Sequence, residues 1–214
     1  VAAREDAVFL KPPQLSFEEA SSLPQAGLMA LQSIRDKGAV RHGHSVLING
    51  AGGGVGTFGI QLAKLFGAEV TAIDKGPKLD ALKKLGADHV IDYTNYDYTK
   101  GGKTYDVIID VVADKSLSDY KRVLNPHGQF IMIGGIPSTT VMAIVFGPWA
   151  SRGGTRTVGM LAYRTNRGLL DLASLCSDGT VNPVIDRTFP LEETREAIRY
   201  FGTAAFIGKV VITM

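Results

Sequence analysis

The sequence has very little cysteine: Cys176 is the only one among 214 residues. A single thiol cannot form a disulfide within the chain, and it cannot supply a cysteine cluster for zinc. This scarcity is typical of proteins from a reducing compartment. We therefore predict a cytoplasmic location.

The chain also lacks an excess of charge of either sign, because its formal net charge is +2. This balance gives no reason to expect nucleic acid or an anionic membrane as a partner. Long hydrophobic runs are missing too. The most apolar stretch, residues 141–150, is interrupted by Gly147 and Pro148 and is too short to span a bilayer. We expect it in the core or in a dimer contact, with a wall of the substrate site as the alternative.

An initiator methionine is absent, since the chain begins with Val1. The first dozen residues have the character of a strand that is already under way. We expect a piece of a longer protein.

From Ser45 onward, short apolar runs alternate with helical patterns. The runs predict six strands, at residues 45–49, 69–73, 89–92, 106–112, 129–133 and 157–162. Between them, apolar residues at helical spacing predict helices near residues 55–66, 77–85 and 117–124. Strands that alternate with helices predict an α/β fold, in which a doubly wound parallel sheet is covered on both faces. After residue 167 the rhythm changes to helices near 169–176 and 192–200, an extended segment at 183–185 and a last strand at 209–213.

A glycine-rich turn follows the first predicted strand. The spacing G-x-G-x-x-G is met by Ala51, Gly53 and Gly56, with alanine at the first position, where a tight turn rather than ligand contact is needed. Bare backbone amides at the start of a helix can bind a pyrophosphate. The turn lies between a strand and a helix, which favours a dinucleotide site in a Rossmann sheet of strand order 3-2-1-4-5-6 over a purely structural turn.

An acidic residue, Asp74, closes the second predicted strand. A carboxylate there binds the ribose hydroxyls of NAD and repels the 2′-phosphate of NADP. It could instead cap the next helix. Lys75 and Lys78 lie close by and could hold a 2′-phosphate, so NAD and NADP both remain open.

Several longer motifs carry a resemblance to a known family. The runs are VLINGAGGGVGTFGIQLAKLFGAEVTAID, LGADHVIDY, YDVIID, LNPHGQFIMIGG, VNPVIDRTFPLEETREAIRY and IGKVVIT. Together they resemble the medium-chain dehydrogenase/reductase superfamily, and most closely its zinc-independent quinone oxidoreductase branch. The match extends over nearly the whole chain.

The resemblance implies roles for individual residues. Gly53, Gly54 and Val55 match the positions that hold the pyrophosphate. Lys78 and Tyr93 match positions near the adenosine phosphate, which conflicts with the preference for NAD that Asp74 indicates. The positions that line the nicotinamide half correspond to Val112, Ala113, Ile133 and Gly134.

The resemblance also implies what lies outside this chain. Zinc-dependent relatives place a cysteine ligand where this sequence has Gln25, a poor zinc ligand, so we expect chemistry without zinc. The family has an N-terminal, GroES-like catalytic domain, of which nearly all is missing here. We expect residues 1–22 to end that domain, 23–167 to form the dinucleotide-binding domain, and 168–214 to return to the catalytic domain.

The function that follows is an NAD(P)H-dependent oxidoreductase acting on a quinone, an enone or an aldehyde/alcohol pair. No residue in the sequence is a convincing proton donor, and a homodimer through the sixth strand is expected from the family alone. Two alternatives stay open. An S-adenosylmethionine-dependent methyltransferase also has a glycine turn, although it usually has an acid where this chain has Ile48 and Asn49. A nucleotide-binding module without catalysis is the other.

Overall fold

The structure is a computed structural model that describes residues 2, 4, 5, 8–141 and 155–214. The apolar segment at 141–150 lies outside the described residues except for Val141. The strands are β1 (Ser45–Asn49), β2 (Glu69–Asp74), β3 (His89–Asp92), β4 (Tyr105–Asp110), β5 (Leu124–Met132), β6 (Thr157–Met160), β7 (Ile185–Pro190) and β8 (Lys209–Thr213). The α-helices that flank them are α1 (Phe17–Ser22), α2 (Leu28–Leu31), α3 (Gly54–Leu65), α4 (Leu79–Lys84), α5 (Leu117–Arg122), α6 (Leu169–Ser177) and α7 (Thr194–Gly202).

Six strands form one sheet in the order β3-β2-β1-β4-β5-β6, and each neighbouring pair is parallel. The predicted fold class and strand order are therefore confirmed. Successive residues of a strand point to opposite faces. In β1, Val46 and Ile48 join one buried cluster with α3, while Leu47 joins a second cluster with α5. Both faces of the sheet are thus covered, which is why the middle residues of its central strands, 46–48 in β1 and 107–109 in β4, are all apolar.

The prediction of a strand in the first dozen residues is wrong. Among the described residues before Phe17, none pairs as a strand, and Leu10 is 96% exposed. An isolated extended segment has no neighbouring strand to receive its backbone hydrogen bonds, so it cannot join a sheet. The chain instead enters a helix at Ser16, whose hydroxyl accepts from the Glu19 amide while the Glu19 carboxylate accepts from the Ser16 amide.

Several strand and helix boundaries differ from the predictions. β5 begins at Leu124 rather than residue 129, because Leu124 pairs with Tyr105 beyond a register shift. β6 ends at Met160, two residues earlier than predicted. The predicted extended segment at 183–185 is in fact followed by a strand, Ile185–Pro190, in which most residues are exposed. A strand with few buried positions carries little apolar pattern to reveal it.

The last part of the chain forms a small unit beside the main sheet. β7 and β8 pair in parallel, and α7 lies against them through the buried Ala197. By contrast, α6 belongs to the main core, since Leu172 and Cys176 are buried in the same cluster as β1. The predicted boundary between residues 167 and 168 stays a prediction.

Candidate functional site

The glycine turn connects β1 to α3 and holds its shape through backbone hydrogen bonds. The amides of Gly50 and Ala51 donate to the carbonyl of Ile73 at 3.1 and 3.0 Å, so the turn is fixed to the end of β2. Gly50 has a φ of +78°, a left-handed conformation that glycine adopts without strain. Gly53 is the N-cap of α3, and no side chain caps this helix. The amides of its first turn therefore lack intrahelical partners, and they lie at the positive end of the helix dipole.

Close approaches explain why glycine occupies the turn. A Cβ atom on Gly56 would lie 2.4 Å from the Ala51 backbone, so the start of α3 packs directly on the turn. A Cβ atom on Gly54 would lie 2.7 Å from Cδ of Lys209, and one on Gly52 would lie 2.6 Å from Cδ of Lys78. Two lysine side chains thus reach over the turn from different parts of the chain.

Asp74 is fixed beside the turn by three contacts. Its Oδ2 accepts from the Gly52 amide at 2.7 Å, its Oδ1 accepts from the Lys75 amide at 2.8 Å, and Oδ1 lies 3.6 Å from Nζ of Lys78. Both side chains of the Asp74–Lys78 pair are buried. The alternative role for Asp74 as a helix cap is not seen, because the N-cap of the following turn is Lys75.

A cavity of about 440 Å³ opens at the carboxyl ends of β1, β2 and β4. The strand order reverses between β1 and β4, and in open α/β sheets such a crevice is where ligands bind. Five of the predicted site residues line it together: Gly53, Asp74, Lys78, Tyr93 and Val112. The structure therefore brings the glycine turn, three residues predicted to lie near the adenosine and one predicted to lie near the nicotinamide to one crevice.

The remaining predicted residues lie beside this cavity rather than on its wall. Ala51 and Ala113 are fully buried, so their side chains cannot touch a ligand. Ile133 and Gly134 follow β5, where both amides donate to the carbonyl of Asp110 at 2.8 and 3.4 Å. Val112 was predicted to line the nicotinamide half together with these residues. It is 53% exposed and instead lines the same cavity as Asp74.

The N-terminal part of α3 contains the other three predicted positions. Gly54, Val55 and Gly56 form its first turn, where backbone amides rather than side chains would meet a phosphate. Val55 is half-buried and packs against the main core.

Sequence reasoning missed the contribution of the chain's end. The Gly208 amide donates to the Gly52 carbonyl at 2.8 Å, and Gly208 forms a parallel bridge with Gly53. This contact brings Lys209 over Gly54. Ala204 and Phe206 from the same segment also line the cavity. The run IGKVVIT was visible in the sequence, but its spacing gives no sign that it returns to the glycine turn.

A buried carboxylate lies under the cavity at the end of β4. Oδ1 of Asp110 accepts from Nδ2 of Asn49 at 2.9 Å and from the Val112 amide at 3.0 Å. Burial raises the pKa of Asp110 to about 6, and nearby donors, the Tyr120 hydroxyl first among them, oppose that rise. Burial and the Asp110 charge raise the pKa of the Tyr98 and Tyr120 hydroxyls as well. Both hydroxyls stay protonated. The Tyr120 hydroxyl accepts from the amides of Asp114 and Lys115, each at 3.2 Å, and so fixes the loop after β4, which forms one wall of the cavity.

The position that binds zinc in metal-dependent relatives of the resembled family is exposed here. Gln25 lies in the π-helical turn Leu23–Gly27 between α1 and α2. Within the described part of the chain, histidine, cysteine, aspartate and glutamate side chains form no group of three that could hold a metal ion.

Comparison with protein families gives a direct match. Residues 85–212 match the family model described as zinc-binding dehydrogenase. The chain belongs to this family. It thus lies within the medium-chain dehydrogenase/reductase superfamily, as its motifs predict.

Individual relatives agree with this assignment. The chain is 32% identical to the chloroplastic quinone oxidoreductase QR1 of Triphysaria versicolor, over 98% of this chain and 66% of that protein. It is 30% identical to an NAD-dependent alcohol dehydrogenase of Sulfurisphaera tokodaii, over 93% of this chain and 58% of that protein. The solved structure of the quinone oxidoreductase from Coxiella burnetii superposes with a TM-score of 0.85 at 30% identity, covering 99% of this chain and 65% of that one. The chain thus spans less than two thirds of the length of these relatives.

Among the helices that the structure describes, none has both the length and the apolar character to cross a membrane.

Proposed function

We propose that this chain is the coenzyme-binding part of an NAD(P)H-dependent oxidoreductase, and that it prefers NAD(H). The observation that carries the proposal is the glycine turn at the start of α3, which opens onto a cavity at the switch point of the sheet. Its substrate would be a quinone, an enone or an aldehyde/alcohol pair. A bound nicotinamide would supply the hydride chemistry, and this chain's residues would orient it and exclude water.

The residues around the turn fit a dinucleotide. The uncapped first-turn amides of α3 would receive the pyrophosphate, and Lys209, whose side chain passes over Gly54, would add a positive charge beside it. The adenosine would enter the cavity beside Asp74. Val112 lines the same cavity, so we assign it to the adenosine rather than to the nicotinamide half that the resemblance implies. A cavity of about 440 Å³ lies within the usual range for ligand pockets, roughly 300–1,000 Å³.

The charges of the cavity favour NAD(H) over NADP(H). Its lining contains as many carboxylates as ammonium groups: Asp74, Asp97 and Asp114 against Lys75, Lys78 and Lys115. Of the two lysines predicted to hold a 2′-phosphate, Lys78 is paired with Asp74, and Lys75 is exposed at the cavity. A 2′-phosphate next to Asp74 would be repelled by its carboxylate, and Lys78 could bind the phosphate only by giving up its contact with that carboxylate. The ribose hydroxyls of NAD would meet an acceptor without repulsion.

The alternatives are less well supported. Family membership favours a dehydrogenase over an S-adenosylmethionine-dependent methyltransferase. A nucleotide-binding module without catalysis would share the same cavity, and activity of the whole protein decides between the two. Zinc-independent chemistry, based on Gln25, remains part of the proposal, as do a homodimer and a cytoplasmic location.

Titration with NADH and NADPH tests the proposal, with coenzyme fluorescence as the signal. We expect saturable binding of both and tighter binding of NADH. The variant Asp74→Asn keeps an acceptor for the Gly52 amide but removes the charge, so its preference should move toward NADPH by about tenfold, equivalent to about 1.4 kcal/mol. Asp80→Asn is the matched control, because Asp80 is exposed on α4.

Three results would count against this reading. Absence of saturable binding with either coenzyme ends the proposal, and binding of S-adenosylhomocysteine instead would favour the methyltransferase. Equal shifts in Asp74→Asn and Asp80→Asn would remove the argument for NAD(H) alone.

A further inference from the structure

The loop between α7 and β8 is held at its C-terminal end by two adjacent amides, one bonded to the glycine turn and one to the side chain of Asp186 in β7. The Gly208 amide donates to the Gly52 carbonyl at 2.8 Å, and the Ile207 amide donates to Oδ1 of Asp186 at 2.9 Å. Between α7 and these anchors, Phe206 lines the cavity. Its position is therefore fixed by main-chain contacts on its C-terminal side.

Phe206 contacts the one buried lysine of the cavity. Nζ of Lys78 lies 5.3 Å from the centroid of the Phe206 ring and 3.6 Å from Oδ1 of Asp74. The ring also stacks on Phe201, at a centroid distance of 4.9 Å and an interplanar angle of 18°. The ammonium group thus has a carboxylate and an aromatic ring as neighbours, and both attract a cation. Because Lys78 is only 7% exposed, water competes little with either contact.

We propose that Phe206 is a positioning residue that sets coenzyme preference by holding Lys78 against Asp74. Resting on the proposed function, this inference adds a residue from the C-terminal segment to the coenzyme site. With the ring present, Lys78 stays paired with Asp74 and is withheld from a 2′-phosphate. Without the ring, the ammonium group loses one of its two attractive neighbours and can turn toward a phosphate in the cavity.

The test is the ratio of the dissociation constants for NADPH and NADH in Phe206→Leu. Cation–π contacts contribute about 0.5–2 kcal/mol, so we expect the ratio to fall by about 2- to 30-fold in favour of NADPH. Phe206→Tyr keeps an aromatic ring beside Lys78 and should therefore have the same ratio as the original chain. Ile198→Ala, at an exposed position of α7 away from the cavity, is the control and should leave the ratio unchanged.

A second background separates positioning of Lys78 from general support of the cavity. In Lys78→Met, the further change Phe206→Leu should not alter the ratio, because the group through which Phe206 acts is gone. If the ratio shifts as much in this background as in the original chain, or if Phe206→Leu weakens both coenzymes equally, the inference is overturned. Both coenzymes would still bind in those cases. Failure of the original chain to bind either coenzyme would instead overturn the proposed function.

Discussion

The substitution Gly56→Ala tests the packing that creates the glycine turn. The added methyl would lie 2.4 Å from both Cα and the carbonyl oxygen of Ala51, where ordinary contact begins near 3.4 Å. The neighbouring atoms are backbone, so the start of α3 must move by roughly 1 Å away from the turn. Overpacking of this kind costs about 1–3 kcal/mol, and the higher helix propensity of alanine returns about 1 kcal/mol. Because the clash is with backbone, we expect a packing cost of about 3 kcal/mol, and so a net decrease of about 2 kcal/mol in the free energy of unfolding.

Gly59→Ala is the matched control, one turn further along the same helix. Its new methyl would meet only Cδ1 of Ile48, at 3.2 Å, which is the movable end of a flexible side chain. The propensity gain should therefore dominate, and stability should stay the same or rise by up to about 1 kcal/mol.

Thermal unfolding measures the difference between the two variants. For a chain of this size, 1 kcal/mol corresponds to a shift in melting temperature of about 2–4 °C, so Gly56→Ala should melt about 4–8 °C below the original chain. It should also bind NADH more weakly, because the displaced helix moves the amides that receive the pyrophosphate. A Gly56→Ala variant that melts as high as Gly59→Ala would refute the idea that α3 is packed against the turn without spare room.

Two further predictions concern buried ionisable groups. Because burial raises the pKa of Asp110 from 3.8 to about 6, the folded chain binds this proton more tightly than the unfolded chain, and the free energy of unfolding should fall between about pH 4 and pH 6. Asp110→Asn removes this fall. In urea unfolding, the free energy of unfolding of this variant minus that of the original chain should therefore rise by about 3 kcal/mol from pH 4 to pH 7. A difference that does not change with pH would contradict the raised pKa of Asp110. Burial likewise raises the pKa of Cys176 to about 12, so the thiol should resist Ellman's reagent at pH 8 until the chain is unfolded. Rapid labelling of the native chain would show that this side of α6 is open.

Strand β1 lies inside the sheet and was predictable because it is apolar on both faces, and its bounds agree with the sequence pattern residue for residue. The bounds of β3, at the edge of the same sheet, and of β8, in the small two-stranded sheet, also agree, because both contain short apolar runs. β7 was not recognised as a strand, since only Phe189 is buried within it. The helix after Ser16 was also missed, although the capping box of Ser16 and Glu19 was a readable signal.

The candidate site was predictable only where its parts are close in sequence. The glycine spacing and Asp74 follow from short-range patterns, and the structure places Asp74 directly against Gly52. Lys209 and Phe206 reach the site through the fold of the last unit, and no local pattern encodes that return. The assignment of each residue to a part of the coenzyme stays a prediction.

The bridge between Gly53 and Gly208 has a consequence for how the protein is made. The two residues lie far apart in the sequence, so a nascent chain that has already folded its central strands still lacks this support for its glycine turn. Contacts between distant parts of a chain form slowly, because a long segment must be closed before they add stability. If the glycine turn binds the coenzyme as proposed, ribosome-bound chains should gain affinity for it only late, when the residues around Gly208 have left the exit tunnel.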